Sequence, residues 1–316
     1  MNITYYRVSK DGVEKSDQEN GNWLVLREDA VTKETLSKIN DEYSLPDELF
    51  SARNEAEEVT RLESLKDTKL KNPMVLVLMD LYDSKTETIE ERLEPVTILK
   101  ADDLLITHVC RESSLIDHLL ENNATDLNNF EKIIARLAYT TYRHFIAELS
   151  EIKEEIDKLD QAARKAAGKE ELVKLTDTQR VVVYIDQTLL DQKEVLDKLL
   201  TDEDFLTGLA DEKLSYDIRV RQRHAEKMVN IYRDLLESIS NLFVSMMDRS
   251  LNNLMKYLDS VALIISIPSL FAGVWGMNVG GLPGTKSKIG FVIVMLAAVL
   301  VSIIFGIYLR NKDYSK

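Results

Sequence analysis

Cysteine is almost absent from the 316-residue sequence, in which Cys110 is the single thiol. One cysteine excludes a disulfide framework within the chain and a metal site built from several thiolates. Histidine is also scarce, and the four imidazoles are too scattered to predict a metal centre. They are His108, His118, His144 and His224. We therefore expect no resident metal cluster built on cysteine or histidine.

Positive charge is the minority charge, with 40 lysines and arginines against 54 acids and a formal net charge of -14. Such an acidic chain repels polyanions, so no nucleic-acid partner is expected. The opening residues lack the uninterrupted apolar core and the small-residue cleavage site of a secretory signal peptide, so we expect the first part of the chain to stay in the cytosol. No nucleotide-binding motif is present. We therefore expect neither an ATP-driven pump nor an enzyme, and no organic cofactor.

Residues 1–122 have the mixed pattern of a cytosolic α/β domain. Short runs rich in β-branched and aromatic residues predict strands. These runs are residues 3–8, 22–26, 73–82, 94–100 and 103–110. The run at 73–82 is apolar on both faces and is therefore predicted to be a central strand. Helices at 28–41 and 114–122 are expected to cover the sheet.

Residues 123–211 are predicted to form an acidic helical hairpin. Apolar residues recur at helical spacing from residue 127 to Gly168, and the sequence becomes strongly charged after Phe145. Gly168 marks a turn, and a second helix is expected over 170–200. The charged tip of this hairpin is expected to be a solvated face.

The last soluble helix is predicted to be unusually long. After residue 212 no proline precedes Pro268 and no glycine precedes Gly273. A continuous helix over 212–275 would be roughly 95 Å long, about three times a bilayer core of ~30 Å. Residues 212–256 are therefore predicted to form a stalk outside the lipid. Because apolar positions on such a stalk need partner helices, we expect the chain to associate with copies of itself.

Residues 257–316 are predicted to be the membrane part, so that the fold class combines an α+β body with two C-terminal spans. The spans are expected at 258–275 and 290–309, joined by a short loop. Both chain termini then lie on one side of the lipid. More lysines and arginines lie beside the ends of the two spans that point away from the loop than in the loop itself. We therefore expect a multi-pass protein of the cell membrane with cytoplasmic termini.

One side of the first span carries a row of mostly small or polar side chains at steps of three and four residues, here called the polar stripe. The polar stripe consists of Asn252, Met255, Asp259, Ala262, Ser266, Ser269 and Gly273. Leu263, Ile264, Ile267 and Phe271, on the other side, are large and apolar. Small residues allow helices to pack closely in lipid, whereas polar groups inside a membrane usually face water. Asp259 favours the second alternative, in which the stripe lines an ion pore.

The first span ends in the tripeptide Gly276-Met277-Asn278, and the segment 252–258, NNLMKYL, precedes it by about a helix length. In these residues and in the order of its parts the sequence resembles the CorA-type magnesium channels of the 2-TM-GxN superfamily. The resemblance covers essentially the whole chain. It implies a homopentamer in which five long helices surround a central pore that passes Mg2+ into the cytosol.

The resemblance also implies roles for individual residues of the pore. Residues 276–278 would form the selectivity filter at its mouth, with Gly276 and Asn278 in the outer ring. Met255 and Leu258 would form a hydrophobic gate, and Asn252 a polar ring at its inner end. Ser269 stands where the family often has a pore threonine.

The sequence departs from the family where regulation is expected. Asp217 falls at the position of a stalk aspartate that binds regulatory Mg2+ between subunits. The acids that partner it in the family should precede the central strand, where this chain has Lys71-Asn72-Pro73. Asp80, Asp83 and the acids of the hairpin are alternative partners that the sequence does not place.

Two alternatives to a magnesium channel remain open. The run 278–284, NVGGLPG, is similar to that of the ZntB zinc transporters, although these usually carry Gly-Ile-Asn in the tripeptide. One alternative is therefore a ZntB-like transporter of Zn2+, Co2+ or Ni2+, with or without coupling to protons. The other is a membrane-anchored coiled-coil scaffold without transport, which the tripeptide and the polar stripe disfavour.

Overall fold

The computed structural model describes residues 3–27, 33–47, 49–50, 59–82, 84, 87–109, 115–165, 168–277 and 288–311. The chain divides into two compact units, residues 1–240 and 241–316. This division falls inside the longest helix, closer to the N-terminus than residue 256, where the predicted stalk ends.

Within the described residues, seven strands form one mixed sheet in the order β2-β1-β3-β7-β6-β5-β4. Their bounds are β1 Ile3–Ser9, β2 Gly12–Ser16, β3 Trp23–Arg27, β4 Arg61–Ser64, β5 Met74–Leu81, β6 Leu93–Lys100 and β7 Leu105–Val109. Strands β3 and β7 run parallel, and the other neighbouring pairs are antiparallel. The sheet is therefore mixed, as in many α+β domains.

Among the described residues, two helices lie between strands of the sheet and six follow the last strand. Their bounds are α1 Lys33–Tyr43, α2 Ile89–Arg92, α3 Leu115–Asn123, α4 Phe130–Lys165, α5 Lys169–Leu199, α6 Glu203–Leu209, α7 Glu212–Trp275 and α8 Lys288–Asn311. The helices expected at 28–41 and 114–122 correspond to α1 and α3.

Strand β5 lies inside the sheet, between β4 and β6, as its continuous apolar sequence predicts. On one face Val75 and Val77 pack into a core with Ile39 of α1. Helix α5 closes the end of the strand, because the side-chain oxygen of Gln192 accepts a hydrogen bond from the backbone N–H of Met79 at 3.0 Å. This hydrogen bond satisfies the buried backbone N–H of Met79, which lies beyond Val77, the last residue of β5 that pairs with β4.

The predicted strands correspond to β1, β3, β5, β6 and β7, whereas β2 and β4 were not predicted. The sequences of these two strands, GVEKS and RLES, are short and mostly polar, so they lack a strand pattern. Gly12 at the start of β2 has a φ of 119°, and a Cβ on it would lie 2.5 Å from the carbonyl oxygen of Ala124. The turn between β1 and β2 therefore requires glycine.

Helices α4 and α5 form the predicted hairpin. Ile156 and Leu159 of α4 and Leu175 and Val182 of α5 are buried. The surface of α4 carries ion pairs within the helix, such as that between Lys153 and Asp157 at 3.1 Å, with both side chains more than half exposed. The charge of this hairpin is thus paired along the helix and solvated.

The part of α7 that belongs to the first unit packs on α4 and α5 of the same chain. Its buried side chains recur every three or four residues: Leu214, Ile218, Gln222, Ala225, Val229, Tyr232, Leu236 and Ile239. Polar contacts hold the same face, with Glu226 bound to Lys193 of α5 at 3.0 Å and Arg221 bound to the hydroxyl of Tyr139 of α4 at 2.6 Å. One face of the predicted stalk is therefore covered without a second copy of the chain.

Candidate functional site

In the second unit, α8 packs against the end of α7. The rings of Trp275 and Phe291 lie 6.2 Å apart. Gly306 of α8 lies so close to Ile264 of α7 that a Cβ on the glycine would be 3.4 Å from the Cδ1 atom. Both helices are long and apolar enough to cross a membrane, judged by length and composition. Residues 290–309, predicted as the second span, lie within α8.

Every residue of the polar stripe is exposed in the single chain, from Asn252 to Gly273. The side chains on the opposite side of α7 are partly buried: Ser260, Ile264, Ile267, Phe271 and Trp275. Because Ile264 is the contact to Gly306, the partly buried side is the one that faces α8. The stripe therefore faces away from the second span.

Packing within the chain does not explain why the stripe is small. A Cβ on Gly273 would meet no atom within 4 Å among the described residues. A Cβ on Gly276 would lie 3.0 Å from the carbonyl oxygen of Ala272, which is a local and modest crowding. Close approach of α8 is thus not the reason for glycine at position 273, and the stripe has no packing partner among the described residues.

The serines of the polar stripe present oxygen atoms whose protons are already engaged. The Ser266 hydroxyl donates to the carbonyl of Leu263 at 2.8 Å, and that of Ser269 to the carbonyl of Ile265 at 3.1 Å. A hydroxyl oxygen that donates its proton to the helix still has acceptor capacity. Both serines can therefore accept hydrogen bonds from water, or bind a cation through water, on the stripe side.

The residues of the expected gate are apolar and exposed. Met255 is 62% exposed and Leu258 is 57% exposed, while Asn252 one turn before Met255 is exposed as well. Asp259 follows Leu258 directly. Its side chain is exposed, like those of the two gate residues. A large apolar area and a carboxylate thus share one exposed side of α7.

The tripeptide begins where α7 ends. Gly276 donates from its backbone N–H to the carbonyl of Ala272 at 2.9 Å, and Met277 to that of Val274 at 3.3 Å, which tightens the last turn. Met277 is 55% exposed. Asn278, the third residue of the expected filter, lies outside the described residues, so the filter stays a prediction.

Asp217, the expected regulatory ligand, lies half-buried on α7 in the first unit. No group of three or more histidine, cysteine or acidic side chains among the described residues could hold a metal ion. Asp80 is 6% exposed, and its carboxylate contacts the His144 ring at 2.8 Å. Asn72, in the place of a family acid, donates to the Asp102 carboxylate at 3.1 Å. None of these residues completes a site around Asp217 within the chain.

One acidic residue of this surface was missed by the sequence reasoning. Toward the N-terminus the steps of three and four residues continue from Asn252 through Asp248, Ser245 and Asn241, and these three residues are exposed like the stripe itself. The spacing of three and four residues extends beyond the apolar segment, whereas hydrophobicity identifies only the segment itself. A search for the spacing alone would have found Asp248.

Comparison with known proteins places these features in a family. The family model described as CorA-like Mg2+ transporter protein matches residues 19–311. The curated cobalt/magnesium transport protein CorA of Methanocaldococcus jannaschii is 25% identical over 189 residues, which are 58% of this chain and 60% of that protein. The match with this curated relative thus spans less than two thirds of its length.

Solved structures share the fold. The complete CorA magnesium transporter from Methanocaldococcus jannaschii matches with a TM-score of 0.78 at 19% identity, over 99% of both chains. The ZntB cytoplasmic domain from Vibrio parahaemolyticus matches with a TM-score of 0.62 at 10% identity, over 78% of this chain and 98% of that one. At such identities the likeness concerns the fold. Because the family model spans nearly the whole sequence, the chain belongs to the CorA-like Mg2+ transporter protein family.

Proposed function

We propose that this chain forms a homopentameric channel in the cell membrane, with cytoplasmic termini, that lets Mg2+ enter the cytosol. The observation that carries the proposal is the polar stripe, which is exposed along a membrane-type helix and does not pack against the part of the chain that the structure describes. Polar groups inside a membrane usually face a bundle interior or a water-filled cavity. Five copies of α7 around an axis provide such a cavity.

Residues 276–278 form the filter in this proposal. Mg2+ demands near-ideal octahedral geometry and loses its water reluctantly. A ring of carbonyl and amide oxygens from Gly276 and Asn278 binds the hydrated ion through its water and adds no fixed charge that would hold it. Met277 shapes the end of α7 beside that ring.

The proposed gate lies at the other end of the stripe. Rings of Met255 and Leu258 side chains close a pore by expelling water from it. Asn252 forms a polar ring on the cytosolic side of the gate, and the stretch from Ala262 to Gly273 lines the path to the filter. Entry needs no further energy source, since a membrane potential of 100 mV contributes ~2.3 kcal/mol per charge and twice that for a divalent ion.

Asp217 is proposed to bind regulatory Mg2+ with carboxylates from a neighbouring copy. The absence of a three-ligand group in the described residues is consistent with a site that one chain does not complete. Asp217→Ala should then weaken the inhibition of uptake by internal Mg2+. Equal inhibition of the variant and the original chain would remove Asp217 from regulation.

Flux through reconstituted protein tests the channel. Proteoliposomes loaded with a Mg2+-sensitive dye should show uptake that Asn278→Ala removes or makes unselective. Asn253→Ala is the matched control, because Asn253 is an exposed asparagine of α7 that lies outside the polar stripe. Unchanged flux and selectivity in Asn278→Ala would contradict both the filter and the channel built on it.

A ZntB-like transporter of Zn2+, Co2+ or Ni2+ is the second candidate. The NVGGLPG run after the span and the fold shared with the ZntB cytoplasmic domain favour it. Uptake of Mg2+ and of Zn2+ is compared in the same vesicles, with and without a pH gradient. Strong Zn2+ flux that depends on the gradient, with little Mg2+ flux, would select this candidate over the magnesium channel.

A further inference from the structure

The row of buried side chains on α7 in the first unit includes a glutamine. Gln222 lies between Ile218 and Ala225 in this row and is 5% exposed, and its amide nitrogen Nε2 has no hydrogen-bond partner among the described residues. A buried polar group without a partner costs free energy, which is why nearly all such groups in proteins are hydrogen-bonded to protein or to ordered water. This amide therefore requires an acceptor.

Two more buried side chains of the first unit have a polar atom in the same position. Tyr142 of α4 and Gln192 of α5 are both 0% exposed, and the Tyr142 hydroxyl and the Gln192 Nε2 atom have no partner within the described part of the chain. The backbone N–H of Met79 fixes the side-chain oxygen of Gln192 toward the sheet. The Nε2 atom, on the other side of the same planar amide, therefore points away from that N–H.

Tyr142 and Gln192 lie at the same level of the α4–α5 hairpin. Tyr142 is as far along the sequence from Lys165, the last residue of α4, as Gln192 is from Lys169, the first residue of α5. Both helices rise by ~1.5 Å per residue, so in an antiparallel pair equal distance from the turn brings two residues to one level.

Gln222 of α7 lies at this level as well. Arg221, which precedes it, donates to the hydroxyl of Tyr139 at 2.6 Å, less than one turn before the buried tyrosine of α4. Glu226, about one turn after Gln222, binds Lys193 at 3.0 Å, and this lysine is next to the buried glutamine of α5. The two contacts fix α7 against both helices. The three unpaired groups thus share one layer between α4, α5 and α7, here called the polar layer.

The charges around the polar layer disfavour an ion as its ligand. Burial and the carboxylates of Asp197 and Glu226 raise the pKa of Tyr142, so its hydroxyl keeps its proton at neutral pH. The unpaired groups are then two amide nitrogens and a hydroxyl, all of them donors. Amide N–H groups do not ligate a cation, and the two carboxylates repel an anion. Water is neutral, accepts hydrogen bonds from such donors and has protons of its own to donate.

We propose that the polar layer holds an ordered internal water molecule, which accepts hydrogen bonds from Gln192 and Gln222 and pairs with the Tyr142 hydroxyl. A buried water molecule typically makes about three hydrogen bonds to groups that the protein leaves unsatisfied. Because Gln192 also accepts from Met79, the water extends a hydrogen-bonded path from the sheet through α5 to α7. This inference concerns the first unit alone and does not depend on the proposed channel.

Radiolytic labelling of the full chain in nanodiscs tests for water beside Tyr142. A short X-ray pulse converts water, bound water included, into hydroxyl radicals that modify adjacent aromatic rings, and mass spectrometry locates the product. Trp23 is the matched control, because it is 0% exposed and its Nε1 atom already donates to Thr107 at 3.0 Å. With each rate normalised to that of the unfolded chain, Tyr142 should be modified several times faster than Trp23. Equal normalised rates would overturn the internal water.

Stability provides a second, independent measurement. Tyr142→Phe removes the hydroxyl and keeps the ring, so loss of a hydrogen bond to water should lower the melting temperature of the full chain in detergent by about 2–4 °C. Gln222→Leu removes the donor on α7. Combined, the two changes should lower the melting temperature by less than the sum of their separate effects, since both act on one water molecule.

The same double-variant comparison of Tyr142→Phe with Asp157→Asn is the control, because Asp157 lies on the exposed part of α4 and these two effects should add. A hydroxyl without any partner would be removed at no cost. A melting temperature of Tyr142→Phe at or above that of the original chain, or additive effects of Tyr142→Phe and Gln222→Leu, would therefore contradict the shared water.

Discussion

His108 is a buried base whose surroundings oppose its protonation. The residue lies in β7, is 3% exposed, and packs edge-on against Phe50 with ring centroids 5.9 Å apart. Its Nε2 atom has no hydrogen-bond partner among the described residues. Burial without a counter-charge lowers the pKa of His108 to about 4.

This lowered pKa predicts that acid weakens the first unit. The unfolded chain binds a proton at His108 near pH 6.5, and the folded chain only near pH 4, so stability is complete above pH 6.5 and falls as the pH drops toward 4. The loss attributable to this residue is about 3 kcal/mol. Thermal unfolding of the full chain in detergent across this pH range should show a shallower fall for His108→Leu than for the original chain. Parallel pH profiles of the two proteins would contradict this role.

The pair of Arg92 and Glu148 predicts a second effect at the scale of a residue. The guanidinium binds the carboxylate through two contacts, at 3.0 and 2.5 Å, with the two side chains 12% and 16% exposed. Glu148→Gln leaves the arginine charge nearly buried without its partner and should destabilise the fold by about 3 kcal/mol. Asp157→Asn breaks an exposed pair of the same kind and should cost at most ~0.5 kcal/mol. Similar melting temperatures for the two variants would show that burial of the first pair is not what matters.

At the scale of the element, α7 was predictable and two strands were not. The helix from Glu212 to Trp275 was predictable because its sequence has few helix-breaking residues and because its apolar residues keep helical spacing over many turns. Each turn repeats the same signal, so the prediction does not depend on any single residue. Strands β2 and β4 depend on partners that are distant in sequence or on one turn glycine, and their own residues are mostly polar.

The spacing along α7 predicts a difference between two insertions. One alanine added after Arg249 turns the rest of the helix by ~100°, so that the polar stripe no longer continues the row of Asn241, Ser245 and Asp248. Ion flux should be lost. An insertion of seven residues restores the phase to within ~20° and should retain flux. Proteoliposome uptake, normalised to inserted protein, measures both, and equal behaviour of the two insertions would show that the phase of the row does not matter.

At the scale of the whole molecule, the proposed site depends on the proposed homopentamer. In one chain the gate residues are exposed, and no described atom lies near a Cβ placed on Gly273. Asp217 supplies a single carboxylate, which does not make a metal site. The sequence could identify which residues lie on the stripe, because helical spacing is local. It could not place their partners, because in the proposed assembly other copies of the chain supply them, and the number of copies followed from the family resemblance alone.

The proposed homopentamer predicts a definite particle mass. Native mass spectrometry of the full chain, released from lipid nanodiscs, should give about five times the chain mass of 36.1 kDa. Asn253→Ala should leave this mass unchanged. A dimer or trimer under conditions that preserve ion flux would contradict the pore geometry, although not the family membership.

The open surroundings of Gly273 make this position a gauge of width. Since no described atom lies within 4 Å of a Cβ placed there, a series of alanine, valine, leucine and phenylalanine can be introduced with little cost to the fold of one chain. In the proposed homopentamer each larger side chain then narrows the pore that the copies of α7 enclose. Ion flux is measured for each variant. The side-chain volume at which hydrated ions no longer pass, compared with the volume that also stops smaller dehydrated ions, gives the width of the proposed pore at this position to within about one methylene group.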